Sequence, residues 1–389
     1  SLVIQSLTTL LSLIWAFLLW MVTIPTVVHV IHNPASPDQN IPDSVIYSQI
    51  EVLNEDFRRM NADAVSTRLI FDSIAADIEV EFCLASFDTA GNPITGINRI
   101  VSTATAFDVG FGGMNDMKFA ASGGADAWPR DQYLNIWVCN MTFLGLPSAL
   151  LGFAQFPGDD PVTDGVVIQY NFMGRTNDPA QSDSSAGRTT THEVGHWLGL
   201  RHIWADDHNP FTNVGTCDSS DFVDDTPNQE GPSNYTCTLG ANSCSAESAY
   251  WGTTDPPDMV ENFMDYSSDL CANLFSMGQK TRMLSFLNTD RLPLQSSPAC
   301  SVVVASVKEM NDQLSLEIYP NPSSGVFQLQ QDAGNSLLNV QIFDVMGQLV
   351  YKSNTRTTTI DLRHLDAGVY MLQASDAKAS TSKRLLISK

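Results

Sequence analysis

Residues 191–202 of the 389-residue chain are THEVGHWLGLRH, which spaces three histidines as H-E-x-x-H-x-x-G-x-x-H. On a helix, His192 and His196 lie four residues apart, so both imidazoles leave the same face. Gly199 can adopt the left-handed backbone that ends a helix, and the turn would bring His202 back as a third ligand. Three neutral imidazoles with one open position are typical of catalytic rather than structural zinc.

Glu193 directly follows the first histidine and is expected to reach a water molecule at the open position. The short form H-E-x-x-H arises by accident fairly often, whereas the long form is expected by chance in about one such chain in ten thousand. The alternative is a helix with two core histidines and a solvated glutamate. Apolar neighbours such as Val194 and Trp197 predict a buried helix, and buried histidines need a polar partner such as a metal ion.

Length and charge bound the class of protein. A chain of 389 residues has room for two domains and a small third. The net charge is −23, yet residues 313–389 carry seven Lys/Arg against six Asp/Glu, so the acidic excess lies in the earlier residues. This charge disfavours nucleic acid as a partner and suits cationic substrates or Ca²⁺, although solubility alone explains most of these carboxylates.

Residues 1–24 form an uncharged, nearly continuous apolar segment. Its length would span a bilayer, and it also resembles the apolar part of a secretion signal. It lacks a basic start and a small-residue cleavage site, and we favour an export-signal remnant over a membrane anchor. Membrane contact is expected only if this segment is retained.

Residues 25–300 have the pattern of an α+β domain, with a twisted mixed sheet backed by helices. β-branched residues predict a first strand at 27–31, and apolar spacing predicts a helix from Ile46 to Met60, capped by Asp43 or Ser44. Further strands are predicted at 78–84, 133–140 and 165–170, and further helices at 185–198 and 279–288.

About sixty residues after His202 lack regular periodicity, which predicts a long loop region organised by disulfides or ions. Four of the seven cysteines lie there, without a C-x-x-C pair, so we expect two disulfides and an oxidising compartment. Cys83 and Cys139 lie in apolar strands and are expected to be buried thiols, and Cys300 remains unassigned. Carboxylates at 218–225 with Thr226 offer oxygen ligands for Ca²⁺, the alternative being a solvated acidic loop.

Residues 301–313 are a predicted linker, and residues 314–389 change character. Alternating strands broken at Asn-Pro, Gly and Asp-Ala-Gly turns predict a small all-β sandwich without cysteine or a catalytic cluster.

The motif order of residues 25–298 resembles the pappalysin family of metzincin zinc metalloproteases, in its ulilysin-like microbial branch. The stretches that carry this resemblance are IPTVVHVIHN, EFCLASFDTAGNP, YLNIWVCNM, GFAQFPG, GVVIQY, CDSSDFVDDTPNQ and NFMDYSSDLC. The resemblance implies a two-lobed catalytic domain, with the GVVIQY strand on the substrate side of the cleft and Met264 on a turn beneath the zinc histidines. Relatives typically carry a pro-segment before the first strand, where this chain has the apolar run.

The same resemblance assigns roles to further residues. Tyr266 matches the tyrosine that stabilises the reaction's oxyanion, and Asp269 matches an acidic residue at the primed-side pocket of members that cleave before Arg or Lys. The cysteine order implies the pairs Cys217–Cys244 and Cys237–Cys271. Structural Ca²⁺ in this family points to Asp221, Asp225 and Thr226.

The last 75 residues resemble the C-terminal sorting domain of bacterial type IX secretion cargo, on the stretches YPNPSSGVF, DVMGQLVY, LDAGVYML and KRLLISK. The resemblance implies export through the periplasm and outer membrane, to the medium or the cell surface, by the type IX machinery. The alternative is a carbohydrate-binding or adhesive sandwich, but no exposed aromatic row supports it.

Together these patterns predict a secreted zinc-dependent endopeptidase that cleaves protein or peptide substrates before Arg or Lys. Glu193 would move the proton, while zinc and Tyr266 would stabilise the oxyanion. One alternative is a non-catalytic zinc or calcium surface protein, for which Glu193 and an open coordination position have no use. The other is a metzincin of a different subfamily and specificity, such as a collagen-type or astacin-like protease.

Overall fold

The computed structural model describes residues 21–300 and 316–388, except for short segments at 111, 148–149, 176–185, 207, 210–213, 246–249, 332–337, 345–348, 356–358 and 376–379. The chain divides into two compact units, Ser1–Val302 and Val303–Lys389. The predicted linker at 301–313 and most of the predicted export segment lie outside the described residues. Within the described residues, no helix has the length and apolar character required to cross a membrane.

The first unit is built on a six-stranded mixed sheet, which confirms the predicted α+β class. Strand β1 pairs in parallel with β2, β3 and β5, β5 pairs in parallel with β9, and β8 forms an antiparallel edge on β9. The strands of this sheet are β1 (Val22–His32), β2 (Val80–Leu84), β3 (Ile97–Val101), β5 (Leu134–Cys139), β8 (Gly152–Ala154) and β9 (Val166–Gln169).

In the part of this unit that the structure describes, four α-helices and five short strands accompany the sheet. The helices are α1 (Asp43–Phe57), α2 (Leu69–Asp72), α3 (Arg188–Trp197) and α4 (Met277–Leu287), and the short strands are β4 (Phe107–Asp108), β6 (Met141–Phe143), β7 (Leu146–Pro147), β10 (His208–Asn209) and β11 (Val214–Gly215). The sheet is covered on both faces, because Ile136 and Val138 of β5 join the core that includes α1 and α3, whereas Trp137 and Cys139 join a second cluster. This explains why β5 and β9 are mostly apolar rather than alternating.

Several element ends differ from the predictions. β1 begins at Val22, because residues 22–26 pair in register with β2, so residues 22–24 belong to the sheet rather than to the apolar export segment. Helix α1 begins at Asp43 after Pro42 and has no side-chain cap, so the predicted cap at Asp43 or Ser44 was wrong. The predicted helix extension to Met60 was also wrong, because the helix ends at Phe57 and Met60 is exposed.

The second unit is an all-β sandwich, as predicted. Its two antiparallel sheets have the orders β12-β13-β16 and β15-β14-β17-β18 and share one apolar core. The strands are β12 (Leu316–Tyr319), β13 (Val326–Gln331), β14 (Leu338–Phe343), β15 (Leu349–Thr355), β16 (Thr359–Asp361), β17 (Gly368–Ser375) and β18 (Ser380–Ile387).

Candidate metal centre

Helix α3 carries the H-E-x-x-H residues and packs against β8, β9 and α1. It begins at Arg188 rather than at the predicted residue 185, since Gly187 has a left-handed backbone (φ +80°) that cannot continue a helix. At its other end, the N–H of Gly199 (φ +92°) donates to the carbonyl of His196 at 2.8 Å. The N–H of Leu200 donates to the carbonyl of Gly195 at 3.0 Å, which completes a Schellman end.

This turn brings the three histidines together around one point. The three Nε2 atoms lie 3.0–3.1 Å from one another. The Nδ1 atom of His192 donates to the carbonyl of Phe263 at 2.7 Å, and that of His196 donates to the carbonyl of Leu200 at 2.8 Å. A carbonyl oxygen can only accept a hydrogen bond, so the single proton of each neutral ring is on Nδ1. Both Nε2 atoms are therefore unprotonated, and their lone pairs converge.

A metal cation fits this arrangement. Four nitrogen ligands at about 2.0–2.1 Å from tetrahedral zinc would lie about 3.3–3.4 Å apart, a few tenths of an ångström more than the separations in the structure. Burial and the neighbouring histidines lower the pKa of His192 well below its usual value and that of His196 to about 3, so both rings are neutral as metal binding requires. Among the described residues, these three form the one cluster of His, Cys, Asp or Glu with ligand spacing.

The third histidine has partners that the sequence analysis did not identify. The Nδ1 atom of His202 bonds to the carboxylate of Asp206, and the His202 ring stacks on Trp204 at 4.3 Å between centroids. Tyr266 contacts the His202 ring edge-on at 4.8 Å. A carboxylate bonded to the far nitrogen of a ligand histidine orients the ring and makes it a stronger metal ligand. The H-x-x-x-D spacing of residues 202–206 is the sequence feature that could have identified Asp206 as the partner of His202.

Glu193 is buried, and burial raises the pKa of its carboxyl group to about 8. The side chain lies against Gly152 of the edge strand β8, where a Cβ atom would lie 2.9 Å from Cγ and 3.1 Å from Oε1 of Glu193. Gly152 therefore leaves the space that the glutamate occupies. The spacing of residues in the sequence does not identify this glycine, because residues 152 and 193 meet only in the folded structure.

Met264 is fully buried beneath the helix, and its position depends on a second glycine. A Cβ atom on Gly195 would lie 2.5 Å from the Sδ atom of Met264. The methionine therefore packs directly on the backbone of α3 at Gly195, a residue that lies between His192 and His196 in the sequence. This is the location that the resemblance to metzincins implies for Met264.

A cavity of about 130 Å³ opens beside the histidines. Its lining includes His192, Glu193, Tyr266 and Asp269. The Tyr266 ring lies 5.4 Å from that of His192, and burial followed by the charge of Glu193 raises the pKa of its phenol, which stays protonated and able to donate a hydrogen bond. The structure thus places the predicted base, the predicted oxyanion donor and the predicted specificity residue around one space.

Asp269 lies at the N-terminus of α3. Its carboxylate accepts the main-chain N–H of Arg188 at 3.1 Å, and main-chain bonds from Ala186 and Gly187 also lower its pKa, although burial raises the pKa overall. The Arg188 guanidinium donates to Asp63 at 2.6 and 2.8 Å and to the main-chain carbonyl of Asp269 at 2.6 Å. The floor of the cavity thus combines a helix terminus with several charged groups.

A second buried carboxylate, Asp56 on α1, completes this cluster. It accepts a hydrogen bond from Thr191 Oγ1 at 2.7 Å and lies 3.5 Å from Arg188. Burial raises the pKa of Asp56 to about 7. One guanidinium therefore lies among three carboxyl groups, Asp56, Asp63 and Asp269, so the acidic groups of this cluster outnumber its one cation.

Disulfides clamp the loops around the cavity. Cys217 is bonded to Cys244, and Cys237 to Cys271, which are the pairs that the resemblance implies. The prediction of a buried thiol holds for Cys139 but was wrong for Cys83, which is bonded to Cys300. Residues 83 and 300 meet because the segment after β2 runs alongside residue 299, with the Ser86 N–H donating to the Ala299 carbonyl at 2.7 Å.

The residues predicted to bind calcium form hydrogen bonds with other groups of the protein. Asp221 accepts hydrogen bonds from the Val223 N–H at 2.9 Å and from Thr226 Oγ1 at 2.8 Å. Asp225 accepts from Ser276 Oγ at 2.6 Å and from the Gly278 N–H at 2.7 Å. Burial raises the pKa of Asp221 to about 7. The structure therefore does not support the calcium prediction.

The fold and site define a metallopeptidase of the metzincin class, with three histidines on a helix and turn above a buried methionine. A family model described as pregnancy-associated plasma protein-A, of peptidase family M43, matches residues 120–288. An extracellular metalloprotease of Arthroderma gypseum is 32% identical over 269 residues, which cover 67% of this chain and 71% of that relative. The chain belongs to this pappalysin family.

Other relatives align over a shorter region. An extracellular metalloprotease of Arthroderma benhamiae is 40% identical over 156 residues, which span 39% of this chain and less than half of that protein, 46%. The structure of mature mirolysin from Tannerella forsythia, in complex with a cleaved peptide, is 44% identical and matches with a TM-score of 0.62. That match covers 71% of this chain and 96% of mirolysin.

The second unit has its own match. A family model for the secretion system C-terminal sorting domain matches residues 317–388. This range includes all of the described strands of the sandwich except the first residue of β12. The sandwich is therefore a sorting domain rather than the carbohydrate-binding module considered as an alternative.

Proposed function

We propose that this protein is a secreted zinc-dependent endopeptidase that cleaves peptide bonds on the N-terminal side of Arg or Lys. The observation that carries the zinc assignment is the convergence of three histidine Nε2 atoms at 3.0–3.1 Å beside a buried glutamate. Calcium at Asp221, Asp225 and Thr226 stays a prediction without structural support.

His192, His196 and His202 would hold the zinc ion, with Asp206 orienting the third ring. Bound in such a site, zinc acidifies water and polarises a carbonyl oxygen. Glu193 accepts the proton of the attacking water and passes it to the leaving amine, and the pKa that burial raises to about 8 makes its carboxylate a stronger base. Tyr266 donates a hydrogen bond to the developing oxyanion from a phenol that stays protonated at neutral pH.

The proposed specificity depends on the charge of the cavity floor. The Asp269 carboxylate is held by main-chain N–H groups and retains acceptor capacity for a substrate cation. The Arg188 guanidinium donates its hydrogen bonds to Asp63 and to the main-chain carbonyl of Asp269. The side-chain carboxylate of Asp269 is therefore left to bind a substrate cation. An arginine or lysine directly after the scissile bond would supply the positive charge that pairs with Asp269.

Cleavage profiling on a peptide library tests this proposal. We expect cuts before Arg or Lys that are abolished by a zinc chelator and restored by Zn²⁺. Asp269→Asn should weaken the basic preference, while its amide oxygen can still cap α3, and a thermal melt would verify folding. Cuts before large apolar residues would contradict the specificity, and activity that survives zinc removal would contradict the enzyme class.

The sorting domain supports the proposed destination. We propose that the type IX machinery recognises residues 314–389 and exports the protein through the outer membrane to the medium or the cell surface. The disulfides support an oxidising, extracytoplasmic compartment. Deleting residues 314–389 should leave the protease in the periplasm of a type IX-competent host, and export of the truncated chain would contradict the route.

A further inference from the structure

Tyr235 lines the same cavity as Asp269, yet the mechanism above gives it no role. Its side chain is 58% exposed, and its backbone is left-handed at φ +59°. This conformation is disfavoured for a non-glycine residue and persists only where the surrounding structure imposes it. An exposed aromatic residue in an imposed conformation at a cavity wall is a candidate ligand-binding group.

Three attachments hold the Tyr235 loop to the segment that follows Met264. The Ser233 N–H donates to Asp265 at 3.1 Å, and the Tyr235 N–H donates to the Tyr266 carbonyl at 2.6 Å. The third attachment is the disulfide Cys237–Cys271. Tyr235 lies two residues before one of these cysteines, and Asp269 lies two residues before the other. The fold thus fixes the aromatic ring and the carboxylate to a common clamp.

The face of the Tyr235 ring is available. Within the part of the chain that the structure describes, no other aromatic ring or cation is stacked on it, whereas the Tyr266 ring packs against His192, His202 and Trp204.

We propose that Tyr235 is a specificity-determining residue that stacks on the guanidinium of a substrate arginine while Asp269 pairs with its charge. This inference rests on the proposed cleavage before basic residues. A guanidinium is planar and weakly hydrated, so it stacks well on an aromatic face, whereas the compact lysine ammonium is strongly hydrated and gains less. Asp269 alone would accept either cation, and Tyr235 makes the site select arginine over lysine.

The test compares kcat/KM for two peptides that differ only in Arg or Lys after the scissile bond. Tyr235→Ala and Tyr235→Leu should each reduce the Arg/Lys ratio about fivefold. Tyr235→Phe, which keeps the ring, should hold the ratio within twofold of wild type. Leu239→Ala is the matched control, since Leu239 lies in the same loop, is 50% exposed and does not line the cavity.

The outcomes separate this inference from the proposed function. If wild-type protein cleaves before neither Arg nor Lys, the proposed function is wrong and the inference falls with it. If wild type cleaves before Arg and both Tyr235→Ala and Tyr235→Leu keep the wild-type ratio, the role of Tyr235 is refuted while the proposed function stands. An equal change in Leu239→Ala would also refute it, because the effect would then be a general loop disturbance. Thermal melts of all four variants verify folding.

Discussion

Gly152→Ala is the substitution whose effect follows most directly from the geometry. The new Cβ atom would lie 2.9 Å from Cγ of Glu193 and 3.0 Å from the carbonyl of Val167, where ordinary contacts begin at 3.4 Å. The Val167 carbonyl is held in the β8–β9 pairing, so the glutamate side chain must give way by about half an ångström. A 1 Å misplacement at an active site costs about a hundredfold, so we expect kcat to fall about tenfold.

The assay measures kcat on a peptide cleaved by wild type, together with zinc content per chain. Because Glu193 is not a metal ligand, zinc content should stay at the wild-type level. Gly240→Ala is the matched control, because nothing lies within 4 Å of a Cβ atom at that position, and it should have the wild-type kcat. A Gly152→Ala protein with wild-type kcat would refute the claim that Gly152 makes room for the base.

Three further predictions concern the metal site and its surroundings. Asp206→Asn should lower zinc affinity about 10- to 100-fold in a competition titration with a chelator, because His202 loses its carboxylate partner; unchanged affinity would contradict this. Burial raises the pKa of Asp221 to about 7. Protonated Asp221 therefore contributes its full stability to the folded state below about pH 4, and this contribution is lost as the pH rises through 7. Asp221→Asn should therefore gain stability relative to wild type between pH 4 and pH 8, on the order of 2 kcal/mol in calcium-free urea melts, whereas a calcium-dependent loss would favour a calcium site. Gly199→Ala should destabilise the fold by about 1–3 kcal/mol in the same melts, since φ is +92° and the methyl group would overlap the Phe286 ring; a wild-type midpoint would contradict the turn.

The helix that carries the H-E-x-x-H residues could be predicted from sequence because its signal is local. The positions of His192 and His196 follow from helical periodicity, and the turn that returns His202 follows from the conformational freedom of Gly199. Four of the six strands of the first sheet were also predicted, and β5 and β9 were visible as mostly apolar runs because the sheet is buried on both faces; β3 and β8 were not predicted. The ends of the predicted strands were less predictable, as the start of β1 at Val22 depends on pairing with β2.

The parts of the site that were missed are those built by tertiary contacts. Gly152 and Glu193 are 41 positions apart in sequence and meet only because β8 forms the sheet edge beside α3. The bond between Cys83 and Cys300 likewise joins residues that are 217 positions apart in sequence. No pattern of spacing identifies such pairs, and apolar neighbours made Cys83 look like an ordinary buried thiol.

The calcium prediction for the acidic loop stays a prediction. Asp221, Asp225 and Thr226 have the composition of a calcium site, but their oxygens bond to main-chain N–H groups and hydroxyls. The sequence cannot distinguish carboxylates that bind a cation from those that bond to the backbone.

The central claim is that Glu193 moves the proton at a zinc site held by three histidines. The most direct test is Glu193→Gln, with zinc content and peptide cleavage measured on the same preparation. We predict wild-type zinc content and a loss in kcat of about 10²- to 10⁴-fold. Cleavage within tenfold of wild type, at full zinc occupancy, would contradict the account.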